Sequence, residues 1–236
     1  MAAQGVGGVS APSSPWGLAE ELRKPVKGLW EKLPRHPFVQ ALYSGELPLE
    51  KFKYYVIQDY NYLVGLTRAL AAAAAKAASL KVAASALEIA RTLATTEMEG
   101  YEELLRELGL SIDEAVAAEP APTNRAYTDF MLATCMAGSV SECLAGLLPC
   151  YWSYQYIADA NRSLLEKNRI EMYRRWAEVY YSPGYRRAVE ALVEAMYEAW
   201  RLDGTPLQRL QEAFKTAARY EYLFWEMAWR GEAWPS

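Results

Sequence analysis

The chain of 236 residues is 52% hydrophobic and 23% charged, with only 14 Gly and 12 Pro, a composition that excludes a disordered, collagen-like or disulfide-dense scaffold. A net charge of −4 without a dense Lys/Arg block lacks the electrostatic footprint that grips phosphates, so nucleic acid is not an expected partner. Three cysteines make no disulfide framework, leave at least one thiol free and fit a reduced, cytoplasmic setting.

Residues 1–15 have neither the basic nor the apolar stretch of a signal peptide and read as a flexible tail, with one domain over 16–236. From Trp16 onward apolar residues recur at three- and four-residue spacing, and no alternating β-branched run appears. The expected fold is therefore all-α, a single helical bundle. A Gly45–Pro48 turn leads into a long helix from Leu49 to about Ala78, whose alanine run would let a neighbouring helix approach closely. A second helix runs from about Leu80 to Leu108 and stops at Gly109, after which Pro120 and Pro122 bracket the connection into a helix over 124–138. Gly138 and Ser139 interrupt the pattern. It resumes over Val140–Ala160 with Pro149 inside, where a lost amide hydrogen bond and a ring clash predict a kink. Ser182-Pro183 and the Asp203–Pro206 stretch mark the last two boundaries. The uncharged run Cys143–Ala158 is too short, and with Pro149, Ser153 and Gln155 too polar, to span a bilayer.

His36 is the only histidine. A di-iron carboxylate bundle draws Glu-x-x-His pairs from two helices, so it cannot be built, and zinc is equally poorly supplied. Glu97, Glu99, Glu102 and Glu103 read as a solvated helix face. His36 could ligate a haem, but it stands in Leu33-Pro-Arg-His-Pro-Phe38, whose prolines mark a helix start, so a local structural role is expected. No metal or organic cofactor is called for.

Three places set polar side chains on apolar helices. Pro149 breaks the hydrogen-bond ladder immediately before Cys150, and Tyr154 follows four residues later on the same face. Cys135 and Cys143, by contrast, read as small buried hydrophobes. Asp59 lies among Tyr54, Tyr55, Val56, Ile57 and Leu63, sharing a face with Tyr62. A carboxylate there must be paired, hydrogen-bonded or functional, because burying it alone costs several kcal/mol. Glu221 shares a face with Trp225, while Glu226 points about 100° away. Seventeen Tyr and eight Trp against five Phe put hydroxyl and indole donors on aromatic surfaces, as suits a pocket for a flat, polar heteroaromatic ligand.

Taken with these residues, the sequence resembles the TenA family, the thiaminase II type aminopyrimidine hydrolases, which share an all-α fold with haem oxygenase. The likeness rests on His36-Pro37-Phe38 with Gly45-Glu-Leu47, Gln58-Asp-Tyr-Asn-Tyr62, Leu148-Pro-Cys-Tyr-Trp-Ser-Tyr154, Trp176 to Tyr180, and Glu221 with Phe224-Trp-Glu-Met-Ala228. The resemblance implies that Cys150 is the nucleophile and Glu221 the acid/base carboxylate. It implies that Asp59 grips the pyrimidine, Tyr62 stacks on it, Tyr154 and Tyr127 fill the pocket, and Tyr180, or its neighbour Tyr181, bonds a ring nitrogen. The implied reaction is hydrolysis of 4-amino-5-aminomethyl-2-methylpyrimidine to the hydroxymethylpyrimidine in thiamin salvage, with thiamin as a second substrate. A non-catalytic pyrimidine- or thiamin-binding protein is the alternative, and an oxidative or haem enzyme of the same fold comes third. Trp225, Trp229 and Trp234, read as exposed, hint at association, and the resemblance implies a homotetramer.

Overall fold

The computed structural model describes residues 12–235, apart from the side chains of Thr96 and Glu97. Of the expected N-terminal tail, residues 1–11 lie outside the described residues. The helical domain opens at α1 (Pro15–Arg23), where Ser14 Oγ accepts from the Gly17 amide at 3.1 Å and Pro15 spends no needed amide in the first turn. The short α2 (Lys27–Trp30) follows, then α3 (Pro37–Ser44), which stops at Gly45 in the left-handed conformation (φ 84°). A side chain at Gly45 would also strike Asn168, at 2.5 Å from its Oδ1.

The long helix α4 runs Leu49–Lys76. Ala69 and Ala73 of its alanine run are fully buried, so the run is a packing surface. At Gly65 a Cβ would fall 2.8 Å from Thr128 Cγ2, which shows how close its partner helix comes. The expected second helix divides into α5 (Leu80–Thr92), a π-helical turn over Leu93–Glu97, and α6 (Met98–Glu107). Gly109, at φ 72°, ends it. A short helix that the spacing does not announce, α7 (Ile112–Ala117), fills the next connection through a Ser111/Glu114 capping box.

α8 (Pro122–Ala137) and α9 (Val140–Leu165) meet at a tight corner, capped by Ser139 with Glu142. Pro149 withholds an amide but does not end α9. The corner corrects the reading of Cys135 and Cys143 as isolated hydrophobes: they form a disulfide across it, their Cα atoms 4.4 Å apart. The reversal of chain direction brings the last turn of α8 onto the first of α9. Lys76 Nζ caps the same corner from α4, donating to the Cys135 and Met136 carbonyls at 2.9 Å.

The chain closes with α10 (Glu171–Glu178), α11 (Pro183–Asp203) and α12 (Leu207–Arg230). Every residue from Ser141 to Tyr151 is buried, so α9 lies at the centre, with α11, α12, α8, α4, α3 and α10 around it. Among the described residues no helix is long and apolar enough to cross a membrane. Trp225, expected as an exposed aromatic, is instead 1% exposed and stacks on Tyr55 at 5.5 Å, because the apolar face of α12 turns it inward; Trp234 is 48% exposed.

Candidate active site

The Gln58–Tyr62 segment of α4 works on two faces. Gln58 and Asn61 hold the neighbouring backbone. Gln58 Oε1 accepts from the Ala121 amide at 2.9 Å, its Nε2 donates to the Glu119 carbonyl at 3.1 Å, and Asn61 Nδ2 donates to the Ala115 carbonyl at 3.0 Å. These bonds satisfy loop groups that would otherwise be buried without partners. Asp59 and Tyr62, turned the other way, line a cavity.

From α9, Cys150, Tyr151 and Tyr154 reach the same cavity; Tyr180, Tyr185, Leu93 and Tyr101 close it from elements far apart in sequence. The structure thus brings together Asp59, Tyr62, Cys150, Tyr154 and Tyr180 around one cavity. It also separates Tyr180 from Tyr181. The Tyr180 ring lies 4.9 Å from that of Tyr154, whereas Tyr181 donates to the Ala158 carbonyl at 2.5 Å and sits beneath Arg162, away from the cavity.

Glu221 and Tyr127 do not line the cavity but stand behind it. The Tyr127 hydroxyl donates to Glu221 Oε1 at 2.6 Å, and Ser153 donates to Oε2 at 3.2 Å. The Tyr62 hydroxyl donates to Met131 Sδ at 3.4 Å, and its ring packs on that of Tyr127 at 5.1 Å, so Tyr62 stands between the Tyr127–Glu221 pair and the cavity that Cys150 lines. Burial, resisted by the bonds from Tyr127 and Ser153, raises the Glu221 pKa to about 7. Asp59 is held the same way: burial lifts it to about 6 against hydrogen bonds from Tyr101 and Tyr55. Tyr55 in turn bonds Tyr154 at 3.1 Å between hydroxyls. Cys150 is buried and lies outside the disulfide.

His36 is structural. Its Nδ1 accepts from the Phe38 amide at 3.2 Å and caps α3, its ring meets Tyr222 edge-on, and Glu226 lies 3.4 Å from Nε2. Burial lowers its pKa. Glu226 shares that carboxylate with Arg230. Glu99, Glu102 and Glu103 are exposed, and the Glu97 side chain lies outside the described residues. Among the described residues no three His, Cys, Asp or Glu side chains converge on a metal-sized site.

Five participants escape the sequence reading. Ser153 and Tyr55 were within its reach, at i+3 from Cys150 and i−4 from Asp59 on the same helical faces. Tyr101, Tyr151 and Tyr185 carry no such mark.

The chain has relatives among known proteins. The chain is 33% identical over 218 residues to an aminopyrimidine aminohydrolase of Bacillus subtilis, covering 92% of each. It is 46% identical to the solved TenA homologue protein of P. horikoshii OT3, at a TM-score of 0.83, with 91% of this chain and 99% of that one matched. A domain of unknown function with a heme oxygenase-like fold, from Shewanella denitrificans OS217, superposes at a TM-score of 0.72 with 14% identity over 90% of this chain and 92% of the other, and supports the fold alone. The model of the TENA/THI-4/PQQC family matches residues 23–231, across the helices that build both the bundle and the cavity, and the chain belongs to that family.

Proposed function

We propose that the protein is an aminopyrimidine aminohydrolase of thiamin salvage. It would convert 4-amino-5-aminomethyl-2-methylpyrimidine to the hydroxymethyl compound and ammonia, and would cleave thiamin, which carries the same pyrimidine–methylene unit, as a second substrate. The supporting observation is a buried thiol outside the disulfide together with a carboxyl raised to about 7, close to a cavity lined by tyrosines.

The Cys150 thiolate adds to the electron-poor ring carbon next to the one bearing the methylene. The ring nitrogens gain electron density, which Asp59 and Tyr180 stabilise by hydrogen bonding. The C–N bond to the leaving amine then breaks, with its electron pair leaving on nitrogen. Glu221, held by the Tyr127 hydroxyl, supplies the proton. Water adds to the exposed methylene, giving its proton back to Glu221, and the thiolate is expelled as the ring regains aromaticity. One carboxyl serves as acid and then base because its pKa lies near the working pH. Tyr62 and Tyr154 hold the ring in plane.

A cytoplasmic location is part of the same proposal, as the sequence reading expects, and so is a homotetramer, as the family resemblance implies. The activity is tested by chromatographic detection of hydroxymethylpyrimidine after incubation with each substrate, with Cys150→Ser as control. Product from the parent and none from the variant supports the assignment; undiminished turnover by the variant removes Cys150 as nucleophile.

A further inference from the structure

Helix α8 carries Tyr127 but begins without a cap of its own. Ala121 precedes its first turn and offers no side-chain acceptor, and Pro122 has no amide to satisfy. The cap comes from the segment after α12. That helix stops at Gly231 in the left-handed conformation (φ 65°), and the Glu232 amide turns back to the Met227 carbonyl at 3.1 Å. The turn delivers the Glu232 carboxylate to the start of α8, where Oε2 accepts from the Thr123 amide at 2.9 Å and Oε1 from the Thr123 hydroxyl at 3.1 Å. A carboxylate in this place also meets the positive end of the helix dipole.

The same residue is tied to α4. The Glu232 carbonyl accepts from the Tyr54 hydroxyl at 2.6 Å, one turn before Gln58, whose Oε1 holds the Ala121 amide. Two residues on, the Trp234 indole donates to the Pro120 carbonyl at 3.0 Å. Residues 232–234 thus bind the start of α8 to α4 and to the end of α12.

Thr123 and Tyr127 stand four residues apart on one face of α8. Tyr127 is buried, its ring stacks on that of Tyr220 at 5.0 Å, and its hydroxyl donates to Glu221 Oε1 at 2.6 Å. Stacking fixes the plane of the ring but lets it slide within that plane, whereas a hydrogen bond weakens steeply once its geometry is lost. What holds α8 along its own axis therefore decides how well Tyr127 meets the carboxyl. We propose that Glu232 is a positioning residue, which sets Tyr127 against Glu221 by capping α8. This rests on the aminopyrimidine reading, in which Glu221 is acid and base, and adds to it a residue that does not line the cavity.

The bond from Tyr127 favours the charged form of Glu221, and the other groups acting on that carboxyl are Ser153 and Tyr154 from α9 and Asp59 and Tyr62 from α4. Loosening the bond should raise the titration midpoint of Glu221. Infrared spectroscopy follows its protonation with pH, with Glu221→Gln as the blank, in the parent, in Glu232→Ala, and in Tyr54→Phe, which frees the segment from α4 and leaves the carboxylate in place. Circular dichroism sets a temperature at which each protein is folded. Glu232→Ala should raise the midpoint by about 0.5 pH units or more. It should lower kcat for the aminomethylpyrimidine by about tenfold with KM within about twofold, because Asp59, Tyr154 and Tyr180 are untouched. Tyr54→Phe should act in the same direction and less strongly. A lower melting temperature with an unshifted midpoint overturns the assignment and leaves Glu232 a cap alone, and a loss confined to KM overturns it too. If Glu232→Ala does not fold, an unshifted midpoint in Tyr54→Phe has the same force. A parent that forms no hydroxymethylpyrimidine strikes the aminopyrimidine reading, while the midpoints still decide the role of Glu232.

Discussion

Glu221 and Asp59 sit where water cannot solvate a charge, and this couples chemistry to stability. Below about pH 4.5 Glu221 is protonated in folded and unfolded chains alike and contributes no difference. Between that value and about 7 the unfolded chain releases the proton while the folded one keeps it, so rising pH favours unfolding; above about 7 the penalty is constant. Glu221→Gln cannot ionise. Its stability relative to the parent should be near zero gain at about pH 4.5 and reach about 2–3 kcal/mol by about pH 8, read from urea denaturation at several pH values. An offset independent of pH would mean that the burial of this carboxyl is not the cause. At Asp59 the neighbouring donor matters most. The Tyr101 hydroxyl donates to Oδ2, and a hydrogen bond to a charged group is worth about 1.5–3 kcal/mol. Tyr101→Phe should thus raise KM by about ten- to a hundredfold with a smaller change in kcat; an unchanged KM would show that Tyr101 does not orient the carboxylate. Asp59 and Glu221 stood out in the sequence because charge on an apolar face is anomalous. Tyr101 did not, since one tyrosine among seventeen on a helix remote in sequence carries no mark until the fold brings it near.

At the scale of elements, long amphipathic helices were legible because their apolar period repeats over many turns. The six residues of α7 hold too few turns for a period to emerge, and the π turn at Leu93–Glu97 needs no residue that an α-helix would refuse. The disulfide was hidden for a related reason. Its eight-residue separation becomes a close approach only because α8 and α9 reverse direction at Gly138-Ser139. Closing so short a loop restricts the unfolded chain by about 2.5 kcal/mol. The double variant Cys135→Ser/Cys143→Ser, which leaves no orphan thiol, should lose roughly that stability, measured by thermal melting without reductant. Turnover at 25 °C should persist, because Cys150 lies outside the bond. Equal melting temperatures would show that Lys76 and the Ser139 cap already hold the corner.

For the whole molecule, the core and the site are one aromatic body. Phe38 packs on Tyr55 at 5.4 Å and on Trp225 at 5.5 Å, Tyr55 stacks on Trp225, and Trp225 meets Tyr154 of the cavity wall at 5.2 Å. Tyr55 also reaches both Asp59 and Tyr154 through its hydroxyl. The rigidity that orders the site is therefore the packing that stabilises the bundle. Removing Trp225 should injure both, whereas removing a group that only does chemistry should injure one. Trp225→Ala is expected to cost about 3–5 kcal/mol, the range for a large aromatic cut from a core, and to depress kcat/KM even at temperatures where the variant is fully folded. Trp225→Phe, which keeps an aromatic face toward Tyr55 and Tyr154, should recover most of the activity. Cys150→Ser should leave the melting temperature nearly unchanged while abolishing turnover. If Trp225→Ala, kept folded, retained full kcat/KM, the wall of the cavity would owe its order to the backbone of α9 and not to the aromatic core behind it.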